Sequence, residues 1–226
     1  MHLDQDVLCV HSVALRHGGS RRVVVLLGGH GAGKTLVALG LAERGWRVVS
    51  GDVTLVDCHD HGSVPVVVGG TRAVIARRGP VLRWFPDLRL TAADIDTVDL
   101  DTVDLSHRPG LLGPDLSAGN VVAVVAVDVD GDPRAGIGKV EVADRHLAAS
   151  VWLRASGHLL DRVLEGNEMA LREFEDVAAA RRRVTQVRAL ADRMPMHAAW
   201  GAPRRIAALV EHLSASSAGS GQRRAR

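Results

Sequence analysis

The chain has 226 residues, 46% hydrophobic and 24% charged, enough apolar material for one sizeable core. A formal net charge of +2, without a basic stripe interleaved with aromatics, argues against nucleic acid as a partner. Apolar runs such as Val23 to Leu27 and Val121 to Val127 fall far short of the roughly 20 residues of a spanning helix, and the first residues lack a leader pattern, so the expectation is a cytoplasmic chain without membrane contact.

Val7 to Leu15 alternates apolar and polar residues, Arg16 to Arg22 carries Gly18-Gly19, and Val23 to Leu27 is continuously apolar. Together they predict a hairpin feeding a buried strand. Leu36, Val37, Leu39 and Leu41 predict a helix from Thr35 to Arg44, stopped by Gly45. A second strand follows at Trp46 to Ser50, with shorter ones at Val53 to Val56 and Val66 to Val68. The segment Thr71 to Leu90 has no clear pattern. Cys58 beside His59 and His61 lacks a second ligand pair and reads as a polar loop rather than zinc ligation, and with Cys9 it forms no disulfide framework.

Downstream, Asp-Thr-Val-Asp-Leu occurs twice in tandem, so that Asp94, Asp96, Asp99, Asp101 and Asp104 share a short span. This reads as a solvated low-complexity edge without a role. Val121 to Val129 and Ile137 to Val142 flank Asp130-Gly131-Asp132-Pro133, a hairpin signal. A helix is expected from Asp144 through Leu153, and a long one capped by Asn167 with Leu171, Phe174, Val177, Val184 and Val187 on one face. A last helix starts at Pro203 and buries Ile206, Leu209, Val210 and Leu213. The organisation expected is one domain over residues 1–213 and a disordered tail over 214–226.

The informative motif is Gly28-Gly29-His30-Gly31-Ala32-Gly33-Lys34-Thr35, which satisfies G-x-x-x-x-G-K-[ST]. In that pattern backbone N–H groups cradle phosphates, the lysine reaches the β and γ oxygens, and the hydroxyl binds Mg2+. Lysine occurs only at Lys34 and Lys139, so a chance match anywhere has odds of roughly two in a thousand. The loop also follows a buried strand and opens a helix, whose N-terminus favours anions. The helix from Thr35 to Arg44 runs about 15 Å away from the phosphates, and the strand Trp46 to Ser50 recovers about 16 Å. Asp52 therefore returns to the phosphate level, where ligands collect at the carboxyl ends of strands, and is the candidate Mg2+ ligand. If Leu15 pairs with Val23 across the hairpin, His11 pairs with Leu27 and lies at the mouth of the site.

His11-Ser-Val-Ala-Leu, the glycine loop, Ala38-Leu39-x-Leu41-x-x-Arg44-Gly45 and Ser50-Gly51-Asp52-Val53 together resemble the catalytic domain of HPr kinase/phosphorylase and its shorter relatives, from His11 to about Asp57. The resemblance implies an α/β fold: a P-loop-containing mixed β-sheet flanked by helices, as in HPr kinase and phosphoenolpyruvate carboxykinase. It implies ATP and Mg2+, and phosphorylation of a hydroxyl, usually a serine, on a peptide, protein or small metabolite. Relatives are often hexamers, so the analogy extends to a homo-oligomer. The family normally has two adjacent aspartates where this chain has Gly51-Asp52; the first carboxylate, the acid/base toward the acceptor, is missing. His11, His30, Asp57 or His59 could substitute, or Asp52 could serve both roles.

The catalytic candidates are thus Lys34, Asp52 and His11, with Gly28, Gly29, His30, Gly31, Ala32, Gly33, Lys34 and Thr35 on the nucleotide and Thr35 and Asp52 on the metal. The alternative is a nucleotide-binding regulatory protein that has lost transfer with that carboxylate. A nucleoside-kinase-type reading, with Arg72 to Arg83 as a lid, ranks below both, because the Asp52 spacing fits the HPr kinase pattern better.

Overall fold

The computed structural model describes residues 7–58, 64–95, 99–113, 119–132, 138–166 and 175–221, and leaves the side chains of 159–166 and 217–221 undescribed. Continuous apolar runs make buried strands and period-3.6 stripes make the covering helices. In chain order these are strands β1 (Val7–His11), β2 (Val13–His17) and β3 (Arg22–Leu27), helix α1 (Lys34–Ala42), strands β4 (Trp46–Ser50), β5 (Val53–Asp57), β6 (Val66–Gly70) and β7 (Ile75–Arg77), and helix α2 (Arg78–Trp84). Then come β8 (Thr102–Asp104), β9 (Gly119–Val129), β10 (Lys139–Val142), α3 (Arg145–Gly166), α4 (Val177–Arg193), β11 (Met196–Gly201) and α5 (Pro203–Gly221).

The fold is mixed α/β, with a mostly antiparallel nine-stranded sheet running β1-β5-β6-β9-β3-β2-β4. β9 lies parallel to β3 on one edge; its other edge pairs with β6 at Gly119 and Asn120 and with β11 from Val124 onward. Because β2 is antiparallel to both β3 and β4, those two strands point the same way. Their carboxyl ends open on one edge of the sheet. Alternation along β3 sends Val24 and Leu26 into a core with Val37 of α1 and Ile206 and Val210 of α5. Val23, Val25 and Leu27 enter a second core with Trp152 of α3 and Val187 and Leu190 of α4. Burial of each such side chain contributes about 1.5–3 kcal/mol. No helix among the described residues is long and apolar enough to cross a membrane.

Several expectations are corrected. β9 and β10 do not form a hairpin: β11 lies between them, parallel to β9 and antiparallel to β10. Turn chemistry at Asp130, whose Oδ1 accepts from the Asp132 amide at 2.9 Å, bends the chain without deciding which edge the next strand takes. The helix bearing Val177, Val184 and Val187 starts at an Asp176 cap, whose Oδ1 accepts from the Ala179 amide at 2.7 Å; Asn167, Leu171 and Phe174 lie outside the described residues. The last helix continues to Gly221 and buries Ser214, past the point where the expected tail began. The unassigned segment yields β7 and α2, which with β8 pack beside α1.

The acidic span is a solvated edge only in part: Asp99 and Asp101 are exposed, but Asp94 is not. Asp94 is 1% exposed and accepts from Arg108 Nε at 3.0 Å and Nη2 at 2.9 Å and from Thr91 N at 2.6 Å and Oγ1 at 2.8 Å. These donors, the Arg108 guanidinium first, hold its carboxyl far below the usual range against the opposing effect of burial. Asp104 accepts from the Ser106 amide at 2.8 Å and from its hydroxyl. Asp96 lies outside the described residues.

Candidate active site

β3 ends at Leu27 and the chain enters the glycine loop with Gly28 at φ 146°. A Cβ on Gly28 would lie 2.8 Å from Val127 O and 3.0 Å from Ala32 Cβ; one on Gly33, at φ 87°, would lie 2.3 Å from Val129 Cγ2. Both positions therefore need glycine, for space as well as for backbone conformation. The Val129 amide donates to Ala32 O at 3.0 Å, tying the loop to the end of β9. α1 then begins at Lys34 with no side-chain cap and no acidic residue in its first turn, so its leading N–H groups and dipole face the loop.

Lys34 Nζ donates to Gly28 O at 3.0 Å and Gly29 O at 3.1 Å. Burial pushes its pKa down to about 8, against the opposing charge of Asp52. Thr35 Oγ1 donates to Ile75 O at 3.5 Å, and His30 Nε2 lies 3.4 Å from Arg77 Nη2. Both contacts bring β7 alongside the loop. Arg77 is thereby a cation at the site, which the sequence offered only within the low-ranked Arg72 to Arg83 lid, because its segment carries neither helical nor strand periodicity.

Asp52 lies two residues past the end of β4, and the field of Lys34 reaches it. Its Oδ1 is 3.3 Å from His11 Nε2, with the His11 side chain 7% exposed and that of Asp52 53% exposed. The hydrogen bond from His11 holds the Asp52 carboxyl below its ordinary value, helped by the charges of His11, Lys34 and His158 and opposed by burial. The carboxylate is thus ionised and half open to solvent.

His11 reaches this place by a route other than the expected register. In the hairpin Leu15 pairs with Val24 rather than Val23, and the strand breaks at Ser12. β1 crosses to β5, where His11 pairs with Val53. The buried hydroxyls of Ser12, Thr54 and Ser50 secure the break: Ser12 and Thr54 oxygens are 2.7 Å apart, Thr54 and Ser50 oxygens 3.1 Å, and Ser50 donates to Val53 O at 2.5 Å. The Ser12 amide donates to Asp52 O at 2.9 Å.

Asp57 sits at the far end of β5, about 16 Å of strand from Asp52, so it is not brought to the site; His59 lies outside the described residues. His158 of α3, which the sequence did not single out, stacks on His11 with ring centroids 3.8 Å apart and planes at 16°. At Gly51 a Cβ would lie 1.8 Å from Ala73 O. The extended segment Thr71 to Val74 between β6 and β7 fills the space a first aspartate would need.

No family model matches the chain, and no curated protein matches it. A solved structure, the Hpr(Ser) kinase/phosphatase from Coxiella burnetii, is similar at 14% identity, covering 60% of this chain and 72% of that one, with a TM-score of 0.29. At that score the likeness carries no argument.

The donor set fits a triphosphate with its metal. Gly28 and Gly33 leave a cradle that a Cβ would fill. Among the described residues no cluster of three or more His, Cys, Asp or Glu could hold a metal alone. Mg2+ needs no such cluster, because it binds through one or two carboxylates, substrate phosphates and waters. Asp52 and Thr35 would supply the protein's oxygens for that arrangement.

Proposed function

We propose that the chain is a Mg2+-dependent ATP phosphotransferase with an HPr kinase-like phosphate-binding loop, acting on a hydroxyl of a peptide, protein or small metabolite. The observation that carries this reading is the gathering of Lys34, Asp52 and His11 beside the glycine loop, at the shared carboxyl ends of β3 and β4. Loop amides and the start of α1 bind phosphate oxygens, and Lys34 turns from the carbonyls of Gly28 and Gly29 to the β and γ oxygens. Thr35 and Asp52 would hold Mg2+, which would supply charge neutralisation on the phosphates. The acceptor oxygen attacks the γ-phosphorus, the bond to the β–γ bridging oxygen breaks, and ADP leaves. Asp52, kept ionised by His11, takes the hydroxyl proton; a positioned base contributes about 10²–10⁴-fold, with the rest coming from alignment and charge.

Gly51 favours a second reading, a nucleotide-binding regulatory protein without transfer, because Ala73 O occupies the place of the family's first carboxylate. Calorimetry of Mg2+·ATP binding to wild type and Lys34→Ala, followed by label transfer from γ-labelled ATP into extract of the source cells, separates the two. The phosphotransferase reading expects label in a discrete acceptor with wild type alone. Binding without transfer supports the regulator, and no binding by wild type overturns both.

A further inference from the structure

We infer that His158 is a positioning residue of this site, holding the His11 ring against Asp52. The inference rests on the phosphotransferase reading and adds to it a residue from the opposite layer of the fold.

The apolar stripe of α3, Ala148, Trp152 and Ala155, is spaced at i, i+4 and i+7 and lies in the core that also holds Leu8 and Val10 of β1. α3 packs along β1. His158, three residues beyond Ala155, continues that stripe, and the packing delivers it to the last residue of the strand, His11. There the two imidazoles lie 3.8 Å apart and within 16° of parallel.

This contact does something a generic packing contact does not. The terminal torsion of a histidine is broad and two-fold, and rotation about it would carry Nε2 away from Asp52 Oδ1, now 3.3 Å distant. A ring laid flat on His11 blocks that rotation. His158 is only half-buried while His11 is buried, so His158 is the member of the pair that borders solvent. Asp52 feels the charge of Lys34 from the loop and that of His158 from α3.

The test compares His158→Ala, which removes the ring, with His158→Phe, which keeps a flat ring without nitrogens. The first readout is Mg2+·ATP affinity by calorimetry together with γ-phosphate release to water. His158→Ala is expected to bind Mg2+·ATP within about twofold of wild type while kcat falls about 10- to 100-fold, as for a misplaced reacting group, and His158→Phe to recover most of that loss. The second readout needs no turnover: long-range 1H–15N spectra of the histidine side chains should show one defined His11 tautomer in wild type and in His158→Phe, and exchange averaging in His158→Ala. Wild-type kcat in His158→Ala, equal losses in both variants, or an unchanged His11 spectrum in His158→Ala would each overturn the inference. A wild type that binds Mg2+·ATP yet transfers no label to any acceptor in the extract refutes the phosphotransferase reading instead, and the spectra still decide the role of His158.

Discussion

Restoring the family's missing carboxylate by Gly51→Asp should damage the protein rather than improve it. An ideal Cβ at Gly51 sits 1.8 Å from Ala73 O, and real Cβ contacts start at 3.0 Å, so about 1.2 Å of movement is required. The obstacle is backbone, and it is held on several sides. The Gly51 amide donates to Thr71 O at 2.9 Å, the Asp52 and Val53 amides to Thr71 Oγ1 at 3.1 and 3.0 Å, and the Val74 amide to Ser106 Oγ at 2.8 Å. Arg72 Nη2 donates to Gly113 O at 2.6 Å. A shift of that size takes a 2.9 Å bond beyond hydrogen-bonding reach. Loss of two such bonds costs about 1–3 kcal/mol and overpacking about 1–3 more, so both Gly51→Asp and Gly51→Ala should lose about 2–6 kcal/mol. Urea unfolding followed by fluorescence of the buried Trp46 and Trp152 measures this. Gly51→Ala within about 0.5 kcal/mol of wild type, or Gly51→Asp with faster transfer than wild type, would refute the steric account.

At Gly33 a methyl group meets Val129 at 2.3 Å and the backbone stands at φ 87°. Gly33→Ala should therefore lose Mg2+·ATP affinity at least tenfold with a folded far-ultraviolet spectrum, since strain of about 1–3 kcal/mol falls on the loop itself; unchanged affinity in calorimetry would count against the loop as the binding element. The Asp94 carboxyl, depressed first by Arg108 and then by Thr91, contributes stability that is present above the ordinary carboxylate value near 4 and is lost as pH falls toward its folded value. Asp94→Asn should cost about 3 kcal/mol at neutral pH, because it leaves Arg108 unmatched. It should also lose less stability than wild type between about pH 5 and pH 3; parallel pH curves for the two proteins would sink this assignment.

Much of the geometry around the glycine loop was legible in the sequence because it is local. Strand, loop, helix and return strand have lengths set by hydrogen-bonded rise per residue. The strand expected at Trp46 to Ser50 is β4 to the residue, and Asp52 follows it directly. The placement of His11 and its neighbours was not legible. His11 was expected beside Leu27 by continuing one hairpin register; the strand break at Ser12 ended that register and sent β1 to β5. His158 carried no signal, since its neighbour His11 belongs to a strand at the other end of the chain. Arg77 lay in a segment without periodicity, and Asp94 looked like one more carboxylate beside an acidic repeat until its partner Arg108 was in view.

What the sequence determined by itself is the set of faces and turns: which side chains are apolar, where glycine is needed, and which helix opens on Lys34. Tertiary structure alone decided which strand edges meet, because backbone donors and acceptors are the same in every strand and pairing is settled by whole faces packing. That settlement placed β11 between β9 and β10, set His158 on His11, and laid Ala73 O where an aspartate at position 51 would have to stand.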